Sequence, residues 1–108
     1  MQKADVYLLE ALKAAEELKD KNLEASIRVN LGNLLVGWGN YEDAVWNYNE
    51  AVKHADKAGD DERAAQCRIG MATAAAFHGS TELATGYAAK ADKNITSLKD
   101  DKKKAGRR

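Results

Sequence analysis

Few side chains in this 108-residue sequence are of a type that could do chemistry. His54 and His78 stand far apart along the chain, and no cysteine or carboxylate falls near either at a metal-ligand spacing. A zinc site needs three or four such donors converging on one point, so both histidines read as packing or surface residues. Cys67 is the single cysteine. It has no partner for an internal disulfide, and its pattern position is shared with Ile27, so it reads as a small buried hydrophobe rather than a nucleophile. Nothing matches a Ser-His-Asp set, a phosphate-binding loop or paired carboxylates. The expectation is a protein that is not an enzyme and holds no metal and no cofactor.

Amides are a different matter. Asn30 and Asn33 lie one helical turn apart, off the apolar stripe of Ile27, Leu31 and Leu35. A carboxamide donates and accepts at once, which suits a peptide group. Contact with a ligand accounts for the pair no better and no worse than a solvated or structural role. Arg28 and Arg68 occupy one pattern position and read as ion-pair formers between units before ligand contacts. Trp38, Tyr41, Trp46 and Tyr48 gather around one turn, where packing explains them better than ligand stacking. Lys102, Lys103, Lys104, Arg107 and Arg108 form a basic end. It reads as a disordered solubilising tail before a nuclear-import or phosphate-binding patch.

The bulk composition agrees with a folded domain. Hydrophobic residues make up 44%, and 17 basic groups balance 17 acidic ones. With the basic end set aside, residues 1–101 carry 12 basic and 17 acidic groups, a body of net −5. Such a body repels phosphate, so nucleic acid is not an expected partner. No apolar run reaches the roughly 18 residues a membrane span needs, and no signal peptide opens the chain. A soluble cytoplasmic protein is expected.

What must position these side chains is an internal repeat. Ala4, Ala44 and Ala84 recur at one fixed interval, as do Ala11, Ala51 and Ala91, and Asp20, Asp60 and Asp100. Ala25, Arg28, Leu31, Gly32 and Gly39 precede Ala65, Arg68, Met71, Ala72 and Gly79 by the same interval. A fixed period of this size marks a solenoid of one supersecondary unit. Within each unit apolar residues step by three and four, the periodicity of a helix face. Gly39-Asn40 and Gly79-Ser80 read as helix stops followed by N-caps, and Gly59-Asp60 does the same between units. Five helices are expected, over about 2–19, 22–37, 41–58, 61–78 and 81–98. The domain is then residues 1–98, made of a half repeat 1–20 and repeats 21–60 and 61–100, with a tail over 99–108. Gly32, mid-helix on the apolar side, reads as a close-approach point with Ala44 and Ala51 as its small counterparts. Gly37 reads as fraying before the turn.

Leu31-Gly32, Leu35, Gly39, Ala44, Tyr48 and Ala51, taken in order, resemble the tetratricopeptide repeat. Arg28, Leu35 and Asp56 depart from that pattern, which has aromatic residues at the first two places and proline at the third. The 40-residue period and the run Asn30-Leu31-Gly32-Asn33 are similar to the spindle-orientation adaptors of the Pins type. The resemblance implies an all-α fold, a right-handed α-solenoid of antiparallel helix pairs with about two and a half repeats. It also implies a concave groove lined by the first helix of each pair. Carried onto this sequence, that groove is Ser26, Val29, Asn30, Asn33 and Val36, continued by Gln66, Ile69, Thr73 and Phe77. Asn30 and Asn33 would then hydrogen-bond the backbone of a bound segment. The second unit has Gly70 and Thr73 at the matching places, so the ladder of amides would be short.

The function expected from this is a protein–protein interaction module that binds a partner peptide segment. The alternative is a self-assembling or engineered repeat scaffold without a ligand of its own. Its contacts would be Leu83, Tyr87, Ile95 and Leu98, which no following helix covers, giving a homo-oligomer through open repeat ends. A third class, a nucleic-acid or membrane-surface module acting through the basic tail, ranks last.

Overall fold

The computed structural model describes residues 3–106. It contains five helices, α1 (Lys3–Leu18), α2 (Lys21–Gly37), α3 (Tyr41–Ala58), α4 (Asp61–Phe77) and α5 (Thr81–Gly106), and no strand among the described residues. Within the described residues, no helix is long and apolar enough to cross a membrane.

One turn chemistry is used four times, once every half repeat. Lys19, Gly39, Gly59 and Gly79 adopt left-handed backbone, with φ of 58°, 78°, 70° and 95°. In each case the next residue's N–H reaches back along the helix just ended: Asp20 to Ala15, Asn40 to Leu35, Asp60 to Ala55 and Ser80 to Ala75, at 2.8–3.0 Å. This satisfies carbonyls that the helix end would otherwise leave orphaned. The side chains of Asp20, Asp60 and Ser80 then accept from the N–H groups of Leu23, Arg63 and Leu83, capping the following helix. Asn40 differs, since its side-chain amide donates to Asp43 at 2.9 Å instead.

The core is centred on α3. Ala44, Tyr48, Ala51, Val52 and Ala55 form a buried stripe that packs with Ala25 and Val29 from α2 and with Ala64, Cys67, Met71 and Ala74 from α4. A smaller cluster of Leu12, Ala15, Ile27 and Leu31 joins α1 to α2. Each helix packs on its neighbours along the chain, and α2 also meets α4; among the described residues α1 and α3 make no close backbone approach, nor do α3 and α5.

Gly32 is a close-approach point, but its partner is Tyr48 rather than Ala44 or Ala51. A Cβ at Gly32 would stand 2.6 Å from the Tyr48 ring, and one at Gly70 would stand 2.5 Å from the same ring. The tyrosine therefore lies in a slot with a glycine from α2 on one side and a glycine from α4 on the other. At Gly37 an added Cβ would meet nothing.

The last helix runs past residue 98 to Gly106, so the stretch expected as a loose tail is helical as far as that glycine. No glycine or proline interrupts the sequence between Gly86 and Gly106, and lysine and alanine are good helix formers. Asp100, equivalent by period to the caps Asp20 and Asp60, consequently sits inside α5. Residues 107 and 108 of the expected tail, and Gln2 of the expected first helix, lie outside the described residues.

Candidate functional site

The residues singled out from the sequence come together in part. Ser26, Asn30, Asn33 and Val36 on α2 and Gln66, Ile69 and Thr73 on α4 line two depressions that adjoin at Gln66. This follows from register: positions 26, 30, 33 and 36 of α2, like 66, 69 and 73 of α4, advance by three and four and share a face. Asn30, Asn33, Gln66, Ile69 and Thr73 are exposed, while Ser26 and Val36 are half-buried.

Two of the nine residues stand differently. Val29 is 5% exposed and belongs to the core, touching the face only at its edge. It follows Arg28 and precedes Asn30, where the helix turns from its packed to its solvated side. Phe77 lines neither depression. Its ring stacks on Tyr41 at 5.8 Å between centroids, and His78 meets Tyr41 edge-on.

The amides have unequal duties. The Asn30 side chain makes no hydrogen bond among the described residues, and neither does that of Gln66. Asn33 accepts the hydroxyl proton of Tyr48 at 2.5 Å, which leaves only its NH₂ group free. Thr73 spends its hydroxyl on the carbonyl of Ile69, one turn back on its own helix.

Three members of this face, Gly70, Tyr48 and Arg63, are not among the nine sequence candidates. Tyr48 brings its hydroxyl to the depression between Asn33 and Thr73. Burial first, then the nearby Cys67, pushes its pKa up to about 12; the phenol stays a donor at any ordinary pH. Arg63 reaches from α4 to α2, where Nη1 donates to the carbonyl and side-chain oxygens of Asn22 (3.1 and 2.9 Å) and Nη2 to Ser26 Oγ (2.7 Å). The spacing Arg63–Gln66, one turn on a shared face, was the available signal.

The remaining candidates are accounted for by packing. Cys67 is fully buried, and burial chiefly raises its pKa to about 11, against the downward pull of Arg63 and Arg68. Such a thiol is inert. Arg28 lies 3.7 Å from Glu16, and Arg68 lies 2.6 Å from Asp56. Both partners in the second pair stand one repeat further along the chain than those in the first. Arg28 also donates to Asn47 (3.2 Å) and lies over the Trp46 ring at 5.0 Å; Arg68 grips Asp56 with both Nη atoms and Asn94 with one. His54 and His78 belong to different regions, and among the described residues no three His, Cys, Asp or Glu side chains gather.

On α5, Leu83 is 55% exposed, whereas Tyr87, Ile95 and Leu98 are half-buried and Tyr87 packs on the core. The α5 positions equivalent to Tyr48 and Val52 are Ala88 and Asp92, both exposed. Lys102 is exposed; the side chains from Lys103 onward lie outside the described residues. Comparison with protein-family models, with curated proteins and with solved structures finds no match.

Proposed function

We propose that the chain is a helical-repeat binding module, a right-handed solenoid of tetratricopeptide type, whose α2/α4 face holds an extended segment of a partner protein. The observation that carries this reading is the unspent hydrogen-bonding capacity of Asn30, Gln66 and the Asn33 NH₂ on one exposed face. An extended chain brings unpaired N–H and C=O groups that need partners. Carboxamides serve both kinds, and Val36 and Ile69 beside them offer apolar contact for alternate side chains. The recurrence of the left-handed turns, the caps and the Arg–carboxylate pairs along the chain supports a repeat. The outward Ala88 and Asp92 favour an α5 that closes the array over one that recruits another copy.

The test is selection of displayed peptides of random sequence against the protein, followed by titration of those that bind. Asn30→Ala combined with Gln66→Ala should weaken them about five- to a hundredfold, at roughly 0.5–1.5 kcal/mol per lost hydrogen bond, with Tm unchanged. Peptides that bind equally well to the double variant would place their site elsewhere and refute the reading.

A further inference from the structure

The chain has two tryptophans, and both lie in a cleft that shares no residue with the α2/α4 face. Helices α1 and α3 each pack on α2, and among the described residues their backbones make no close approach to one another. Between them is a space of about 540 Å³. Leu9 and Leu12 line it from α1, Leu31, Leu35 and Trp38 from α2, and Trp46 from α3. Leu9, Trp38 and Trp46 remain 47%, 43% and 55% exposed. Large apolar side chains concentrated in one concavity are the composition of a protein-binding surface.

Polar groups in the cleft narrow the choice of occupant. Arg28 is already engaged by Glu16, Glu24, Asn47 and the Trp46 ring. The Asn47 amide is spent between Arg28 and the Asp43 carbonyl, and the Asn40 NH₂ donates to the Asp43 carboxylate, which leaves the Asn40 side-chain oxygen as the one open amide acceptor. An extended segment laid here would find little to pair its backbone with, a costly arrangement against leucine and tryptophan. A helix arrives with its backbone already bonded. Asp43, on the rim, meets no Lys, Arg or His within 4.0 Å among the described residues. It lines the same cleft as the two indoles, and its carboxylate, met only by the neutral Asn40 amide, favours a cation. From Asn40 to Asn47 α3 rises about 10 Å, two helical turns.

We infer that this cleft is a second docking site, for a short amphipathic helix of a partner protein that presents leucine-like side chains to the α1–α2–α3 cleft and a lysine or arginine to Asp43. It is independent of the α2/α4 face, and either can fail without the other.

Because both tryptophans line the cleft, their fluorescence reads its occupancy directly. The probes are three synthetic peptides of about four turns, roughly 14 residues. One is an alanine-based helix with leucines on one face flanked by lysines; in the second, glutamates replace the lysines; in the third, a central proline breaks the lysine helix. The lysine helix should give a saturable blue shift. Binding should fall about tenfold or more with the glutamate or proline peptide, and likewise with Asp43→Lys, while the same charge change at exposed Asp92 and the change Asn30→Ala leave it intact. If Asp43→Lys lowers the circular-dichroism melt, Asp43→Asn carries the charge test. No saturable shift, equal response to the glutamate peptide, or indifference to both Asp43 variants overturns the proposal. So does a shift that grows with protein concentration alone, which would make a second copy of the chain the occupant.

Discussion

The hydroxyl of Tyr48 donates to the side-chain oxygen of Asn33 while the Tyr48 ring occupies the slot between Gly32 and Gly70. One residue of the middle helix thus touches both α2 and α4 and also reaches the exposed face they share. Its ring is rigid and 2% exposed, so the slot has little room to give.

Glycine-to-alanine changes should therefore have opposite signs at different sites. Gly32→Ala and Gly70→Ala each place a methyl inside van der Waals distance of the ring, an overpacking that costs roughly 1–3 kcal/mol. Alanine's helix preference offsets up to about 1 kcal/mol of that. A net loss of up to about 2 kcal/mol is expected for each, seen as a lower Tm. Gly37→Ala, which meets nothing, should leave Tm unchanged or raise it. Thermal melts of the three variants side by side decide the matter; equal shifts would mean the slot is not tight.

Asn33 and Asn30 should separate in the same way. Asn33→Ala removes the acceptor for a nearly buried phenol and should cost roughly 0.5–1.5 kcal/mol in urea denaturation. Asn33→Asp keeps an acceptor and should recover most of it. Asn30→Ala, with no internal partner to lose, should stay within about 0.5 kcal/mol of the parent.

Lys19 is the only non-glycine residue with positive φ among the described residues. A left-handed conformation costs an L-residue roughly 1–2 kcal/mol, and glycine's own entropic cost recovers part of the difference. Lys19→Gly is expected to stabilise by about 0.5–1 kcal/mol. The reverse change, Gly59→Lys at the equivalent turn, should destabilise by a similar amount in the same chemical-denaturation assay.

Alkaline pH offers a further check. Folding raises the Cys67 pKa from 9.0 to about 11 and that of Tyr48 from 10.0 to about 12. Above pH 9 the unfolded chain releases protons that the folded one retains, so stability must decline as pH rises. The decline should begin near pH 9 through Cys67 and continue from pH 10 through Tyr48. Cys67→Ala should remove the first part and, because Cys67 also helps raise the Tyr48 pKa, trim the second without abolishing it, as followed by urea midpoints across that alkaline range.

The turns were legible in the sequence because glycine followed by Asn, Asp or Ser carries its geometry in its chemistry. Lys19 hides the same geometry behind an ordinary side chain, and only its place half a repeat before Gly39 betrays it. Gly32 is recognisable as a close contact, yet Ala44, Tyr48 and Ala51 share one face of α3, and no spacing rule says which of them meets it. By spacing, Gly70 merely interrupts a ladder of amides; its use becomes apparent only when α3 is seen between α2 and α4. Val29 defeats the pattern because a helical position next to the face boundary turns inward or outward with a small rotation of the helix. Spacing from Gln66 puts Arg63 on the α4 side of this face, but nothing local shows that its side chain crosses to Asn22 and Ser26.

The chain-neighbour packing of the five helices also bears on how the molecule opens. Among the described residues, helix α1 is joined to the rest through α2 alone, by the cluster of Leu12, Ala15, Ile27 and Leu31. It can detach without disturbing Tyr48, whereas α3 cannot move without emptying the slot and uncovering the main core. Opening free energy is then graded along the sequence, lowest at the first helix and highest at the third, and the molecule comes apart from its ends.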